Sequence, residues 1–269
     1  MTTGTHYKTV WLSDIHLGYK DCKAEYLLDF LQHNSFDTLY LVGDIVDMWA
    51  MSKRFMWPES HNQLLHTLLQ LSHQGTKVIY LPGNHDAPAQ KYDGMHFGEV
   101  EIHREYIHTT ADGKKLLLLH GDQFDPEVCF GPIQAWLGDK AYDFLLFLNR
   151  WYNKARAACG FPYWSLAGYI KGKIKGANVA IERYKNACRN RAKELGVDGV
   201  VCGHIHHPEI DTKASVDYCN TGDWIENCSA LIESENGQLS LLYWAKVSAQ
   251  IEPVTPITLT KADTDKKAA

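Results

Sequence analysis

Hydrophobic and polar positions alternate in two rhythms along the first half of the chain. Short apolar runs over residues 9–13, 38–42 and 77–81 read as strands. Between them, residues 24–32 set Ala24, Leu27, Leu28 and Leu31 on one helical face. Residues 62–72 do the same with Leu64, Leu65, Leu68, Leu69 and Leu71, and Gly75 follows as a C-terminal stop. Two more strands are predicted over 115–119 and 199–202. Strand and helix in alternation predict an α/β fold, with parallel sheet segments covered by helices.

Each apolar run ends in a packet of polar groups: SDIH, GDIVD, GNHD, HGD and GHIHHP. In open α/β sheets ligands gather at the carboxyl ends of strands, so packets far apart in sequence have a reason to meet. They supply Asp14, His16, Asp44, Asn84, His120, His204 and His206, with His85 and Asp86 beside Asn84. Carboxylate, imidazole and amide oxygens without sulfur suit borderline divalent ions such as Mn, Fe or Zn. Seven donors exceed the four that a structural zinc takes. They suit two divalent metal ions sharing a bridging carboxylate, Mn being the preferred assignment; a pair about 3.5–4 Å apart can clamp both ends of an in-line phosphoryl displacement.

In these packets the chain resembles the calcineurin-like metallophosphoesterases, whose pattern stands here as Asp14-Ile15-His16, Gly43-Asp44-Ile45-Val46-Asp47, Gly83-Asn84-His85-Asp86, His120-Gly121 and Gly203-His204-Ile205-His206. The resemblance implies a two-sheet sandwich flanked by helices. It implies one metal on Asp14, His16, Asp44 and His206, and another on Asp44, Asn84, His120 and His204, with Asp44 bridging. It also implies that His85 contacts the scissile phosphate and protonates the leaving oxygen, with Asp86 orienting it. Asn84, His85 and His204 thereby count as substrate-binding residues too. Asp47 is read as a buttress of the loop after Asp44, Asp122 as a turn residue, His207 as a bystander and His61 as a core or surface histidine.

A closer resemblance is to UDP-2,3-diacylglucosamine hydrolases and their paralogues. It rests on the opening WLSDIHLG, the ending NTGDWIENCSALIE and a basic, aromatic helical insertion between HGD and GHIH. That group cuts the pyrophosphate of a nucleotide-linked lipid A precursor beneath a lid over acyl chains, which makes a small-molecule or lipid-linked nucleotide the expected substrate. The lipid A enzymes of the group carry GNRD where this chain has GNHD at His85.

The insertion changes the picture of charge. The chain as a whole has 27 Lys and Arg against 32 Asp and Glu, yet residues 140–193 hold 12 basic and two acidic residues. Eleven of the 31 aromatic residues lie in 130–169. The stretch AYDFLLFLNRWYNK is apolar on more than one helical face. Leu145, Leu148, Tyr152 and Ala155 are expected to face the body, and Tyr142, Leu146 and Phe147 to point elsewhere, as in a helical lid. Lys171, Lys173 and Lys175 are candidates to hold pyrophosphate or anionic lipid, with peripheral contact at an anionic membrane.

The expected organisation is a metallophosphoesterase domain over 1–252, with the insertion at 123–198, and a disordered tail over 253–269. Seven cysteines without a C-x-x-C pair, no signal peptide and no membrane-length apolar run point to a cytoplasmic protein, with peripheral contact at the inner membrane surface. A nuclease or cyclic-nucleotide phosphodiesterase of the same fold is the enzymatic alternative, although the net charge of −5 argues against a nucleic-acid partner. A scaffold without chemistry is a further alternative, opposed by the filled ligand pattern.

Overall fold

The computed structural model describes residues 4–125, 132–171 and 175–247; the side chains of 132–143, 171 and 175–177 are outside that description. Two mixed sheets pack face to face. The larger takes β1 (Thr5–Leu12), β2 (Asn34–Val42), β3 (Lys77–Leu81), β4 (His96–Phe97), β5 (Val100–Ile102), β11 (Ser229–Glu233) and β12 (Leu239–Tyr243) in the order β12-β11-β1-β2-β3-β5-β4. Its centre, β1-β2-β3-β5, is parallel, and its edges are antiparallel. The smaller takes β6 (Tyr106–Thr109), β7 (Lys115–Leu118), β8 (Gly199–Cys202), β9 (Glu209–Asp211) and β10 (Asp217–Asn220) in the order β6-β7-β8-β10-β9.

The central strands are apolar on both faces because both faces are covered. Trp11, Tyr40, Val42, Ile79 and Leu81 point inward to meet Leu116, Leu118 and Val201 of the other sheet. Their neighbours Val10, Leu12, Leu39, Leu41 and Val78 point outward, under α1 (Ala24–His33) and α3 (Glu59–His73). On the far side, Leu117, Val200 and Cys202 pack beneath Tyr184, Ala187, Cys188 and Ala192 of the helix Lys175–Glu194. The order of layers is helix, sheet, sheet, helix, and the strands predicted from sequence form its centre.

A short α2 (Met48–Lys53) follows β2, with Asp47 as its N-cap accepting from the Ala50 N–H. The insertion carries α4 (Pro132–Ala158), α5 (Leu166–Lys171) and α6, the Lys175–Glu194 helix just described, followed by α7 (Trp244–Val247) after the last strand. The faces of α4 differ from expectation: Leu146 is its buried leucine at 2% exposure, whereas Leu148 and Ala155 are exposed. Phe144, Phe147, Leu148 and Trp151 form an exposed stripe at helical spacing instead. Among the described residues of this stretch, Leu146 and Asn149 are the buried ones. Among the described residues no helix is long and apolar enough to cross a membrane. The tail 253–269 lies outside the described residues.

Candidate dinuclear metal centre

The five polar packets meet above one end of the sandwich. The loops after β1 and β2 run side by side, tied by the Asp14 N–H to Gly43 O (3.0 Å), His16 N–H to Asp44 O (2.9 Å) and Asp47 N–H to Leu17 O (2.8 Å). Asp14, His16, Asp44, His204 and His206 all hold φ between 50° and 70°. That left-handed region costs a non-glycine residue on the order of 1–3 kcal/mol, and such strain clusters at functional sites. Gly83 is required by close approach, since a Cβ there would run into the Asp44 carboxylate and the His120 ring. A Cβ on Gly203 would stand 2.5 Å from Asp14 Oδ2.

Two clusters result. Asp14, His16 and His206 bring ligand atoms together, and so do Asp44, His120 and His204, each set within 4.8 Å. Asp14 Oδ1 lies 3.2 Å from His206 Nε2 and 3.9 Å from His16 Nε2. Asp44 Oδ2 lies between the clusters, 3.4 Å from His120 Nε2 and 3.7 Å from His16 Nε2. Asn84 Oδ1 is 3.3 Å from the same His120 nitrogen. Second partners fix the rings. His120 donates from Nδ1 to Val42 O at 3.0 Å, and His204 Nε2 meets Asp125 Oδ1 at 2.6 Å, which leaves Nδ1 to its cluster.

These residues fit a pair of cations. Asp14 Oδ1 and His16 Nε2 are buried polar atoms without a hydrogen-bond partner. The bare face of His120 looks at two acceptor oxygens, the disposition of donor atoms around a cation. Burial disfavours a charged His120 ring, yet the adjacent Asp44 carboxylate outweighs it and lifts its pKa well above the ordinary value. Burial likewise raises Asp14, but the facing His206 more than offsets it and holds the carboxyl at about 2. His120 outweighs burial for Asp44 and lowers it further. The carboxylates are therefore ionised at neutral pH, ready to bind metal.

A calcineurin-like phosphoesterase family model matches residues 7–208, three quarters of the chain and every packet described above. The chain belongs to that family. It is a metal-dependent phosphoesterase, and its His/Asp clusters are consistent with a dinuclear centre. It is similar to a protein from Aliivibrio fischeri named UDP-2,3-diacylglucosamine hydrolase, 24% identical over 84% of this chain and 94% of that one. A protein of the same name from Chromohalobacter salexigens is 25% identical over 75% of this chain and 81% of its own. Among solved structures, the E. coli phosphoesterase Yfce aligns over 87% of this chain and 98% of its own, with 15% identity and a TM-score of 0.41.

One expectation about this phosphoesterase needs correcting. Asp86 does not hold His85. Its carboxylate accepts from the Gly83 (2.5 Å), Ile45 (2.8 Å) and Asp44 (3.3 Å) N–H groups, so it locks the β3 loop to the β2 loop. The partner of His85 is Asp47, whose Oδ1 meets His85 Nδ1 at 2.9 Å and whose Oδ2 meets His16 Nδ1 at 3.0 Å. Asp47 is thus more than a loop buttress. Burial raises the Asp47 carboxyl, but hydrogen bonds from His16 and His85 outweigh it and leave the group well below the usual carboxylate range. An ionised carboxylate only accepts, so both imidazoles donate from Nδ1 and present Nε2 to the site. Burial works against protonation of His85, while Asp47 and Asp44 prevail and raise its pKa.

Sequence reasoning passed over Trp49 and Asp125. The Trp49 indole lies 4.4 Å from the His85 ring and is 52% exposed, so it roofs that imidazole. No local pattern marks it, because α2 has only six residues, too few to show a helical period. Asp125 follows His120 by five residues and shares no motif with His204. His61 is a core histidine, accepting from the Gly18 N–H at 2.9 Å, and Asp122 opens a single helical turn after Gly121. The side chains of Lys171, Lys173 and Lys175 lie outside the described residues.

Proposed function

We propose that the chain hydrolyses the pyrophosphate of a nucleotide-linked, acylated sugar such as UDP-2,3-diacylglucosamine, or a closely related lipid-linked nucleotide, using two divalent cations, Mn by preference. The observation that carries the substrate is the similarity to hydrolases of that name across most of both chains. The stripe of Phe144, Phe147, Leu148 and Trp151 on α4 supports it, because an exposed apolar ridge on the insertion suits acyl chains.

Asp14, His16, Asp44 and His206 would hold one cation, and Asp44, Asn84, His120 and His204 the other. Bound there, the pair supplies charge neutralisation for the phosphoryl oxygens and an acidified water. The chain's own residues do the remainder. Asn84 and His204 orient a phosphoryl oxygen at the second cluster. His85, held by Asp47, keeps its proton on Nε2 and delivers it to the departing oxygen as the P–O bond breaks. Asp86 keeps Asn84 and His85 in register with Asp44. Water adds to one phosphorus, so UMP and an acylated sugar phosphate leave. Lys171, Lys173 and Lys175 are candidates for the anionic portion of the substrate. The insertion, residues 123–198, serves as the lid on a domain spanning 1–252. Such a substrate places the protein in the cytoplasm, in peripheral contact with the inner membrane.

The test is to incubate Mn-loaded protein with UDP-2,3-diacylglucosamine and with UDP-N-acetylglucosamine and to measure UMP. The reading expects release from the acylated substrate at a kcat/KM at least about a hundredfold higher, the value of a few buried methylenes. Equal rates on the two would remove the acyl part of the proposal.

A further inference from the structure

Beyond the metal clusters, a second cleft of about 290 Å³ opens between the segment after His16 and one edge of α4. Lys20, Lys23, Arg150 and Lys154 line it, and Asp21 is the one acidic residue in that lining. None of the residues of the two metal clusters takes part.

The walls are built. Asp21 Oδ2 holds Arg150 Nη1 at 2.5 Å, which pins the guanidinium to the catalytic body. The Lys23 N–H donates to Trp224 O at 2.8 Å, and the Trp224 N–H to Asp14 O at 3.0 Å, so this segment is braced against the ligand loop. On the helix side, Asn149 Oδ1 accepts from the Leu166 N–H and Asn153 Oδ1 from the Trp164 N–H, both at 2.9 Å. Asn149 Nδ2 also donates to the Tyr163 hydroxyl at 3.1 Å. The end of α4 and the strand of chain carrying Tyr163 therefore move as one wall.

Arg150 is paired with Asp21, and among the described residues the three lysines of the lining, Lys20, Lys23 and Lys154, make no ion pair. The Lys23 ammonium instead lies 5.4 Å from the Tyr163 ring centre, and that of Lys154 5.2 Å from Trp151. Four cations against one carboxylate leave an excess of three positive charges around a space of about ten water molecules. Guanidinium and ammonium donors on opposite walls, with amide-fixed spacing, suit a tetrahedral dianion.

We propose that this cleft binds a phosphate group, separately from the metal centre. The shared chemistry has two sources, a soluble phosphate or a phospholipid headgroup, and the exposed Trp151 and Phe147 beside Lys154 and Arg150 leave the cleft open to either.

The experiment binds inorganic phosphate to the Mn-loaded protein by calorimetry, beside turnover of bis(4-nitrophenyl) phosphate and its inhibition by phosphate, which reads the metal centre alone. Lys23→Gln/Lys154→Gln is compared with the parent, and Lys154→Gln alone serves as a milder variant on an exposed side chain. The proposal expects a phosphate equivalent in the parent that does not inhibit turnover, weakened about tenfold or more in the double variant, the effect of lost charge-assisted donors. Turnover and inhibition stay at parental values. Identical isotherms for parent and double variant would overturn the site. Absence of turnover in every preparation would count against the hydrolase and leave this binding result standing. Sedimentation with phosphatidylcholine vesicles, with and without phosphatidylglycerol, separates the sources. Loss of binding to the anionic vesicles in the double variant assigns the cleft to lipid headgroups, and unchanged vesicle binding beside lost phosphate binding assigns it to soluble phosphate.

Discussion

Asp47 holds His85 through a 2.9 Å hydrogen bond between Oδ1 and Nδ1, and the other oxygen of the same carboxylate holds His16. A residue of one metal cluster and the proton donor assigned to the leaving group are therefore oriented by one side chain. Two roles are thereby divided: Asp47 sets the donor, and Asp86 sets the loop that carries it.

His85→Ala is expected to lower kcat by about 10²–10⁴, the usual worth of a positioned general acid. Its metal content stays at the parental level. Asp47→Asn is expected to cost about 10–100-fold, because it loosens a ring without deleting it. Steady-state rates with metal analysis of the same samples check both; parallel loss of metal and rate in His85→Ala would make that residue structural.

Asp44 lies between the two clusters, whereas His206 belongs to one. Asp44→Asn is expected to reduce binding at both cations, and His206→Ala at one. Mass-spectrometric metal stoichiometry distinguishes the two patterns, and equal stoichiometry in the two variants would contradict a shared Asp44.

The apolar ridge makes a prediction of its own. Phe147→Ala/Trp151→Ala is expected to raise KM for an acylated nucleotide substrate about tenfold or more, from the apolar contact area removed. Turnover of bis(4-nitrophenyl) phosphate stays unchanged, since both side chains are exposed and leave the core intact. An equal effect on both substrates would take the ridge out of substrate binding.

Glu233 gives a pH dependence away from the metals. It is buried in β11, with His108 Nε2 at 3.0 Å and the Ala111 N–H at 2.7 Å. Burial alone would raise its pKa, but the His108, Thr9 and Ala111 contacts outweigh it and lower the carboxyl below the ordinary value of 4.5. A lowered folded-state pKa means that its stabilisation is complete above about pH 4.5 and is lost as pH falls through the folded-state value. Glu233→Gln is expected to lose about 1–3 kcal/mol near neutral pH and to approach the parent as the solution becomes acid. Denaturant titrations across that range check it, and a constant gap between the two proteins would show that the carboxylate charge contributes nothing.

The centre of the fold was legible because β1, β2, β3, β7 and β8 are apolar on both faces, a pattern that survives without tertiary information. The outer strands were not. β9 and β10 are three and four residues long, and β4 is only His96–Phe97, too short to show a period. The metal clusters were legible as packets because strand ends concentrate them, and the structure brings all seven ligand candidates together. What sequence could not supply was the pairing behind them. Asp86 adjoins His85 in the chain while Asp47 lies 38 residues away, and only the folded loops decide that the distant carboxylate takes His85 and the adjacent one takes three backbone N–H groups. The face of α4 was misjudged for a related reason: a helix with apolar residues on several sides has no single preferred orientation until its neighbours are placed.

The most direct test strips the protein with a chelator and titrates it with Mn while following hydrolysis of bis(4-nitrophenyl) phosphate. The account predicts no turnover without metal and a rate that rises to a plateau at two cations per chain. Full activity in the stripped protein, or a plateau at one cation, would contradict it.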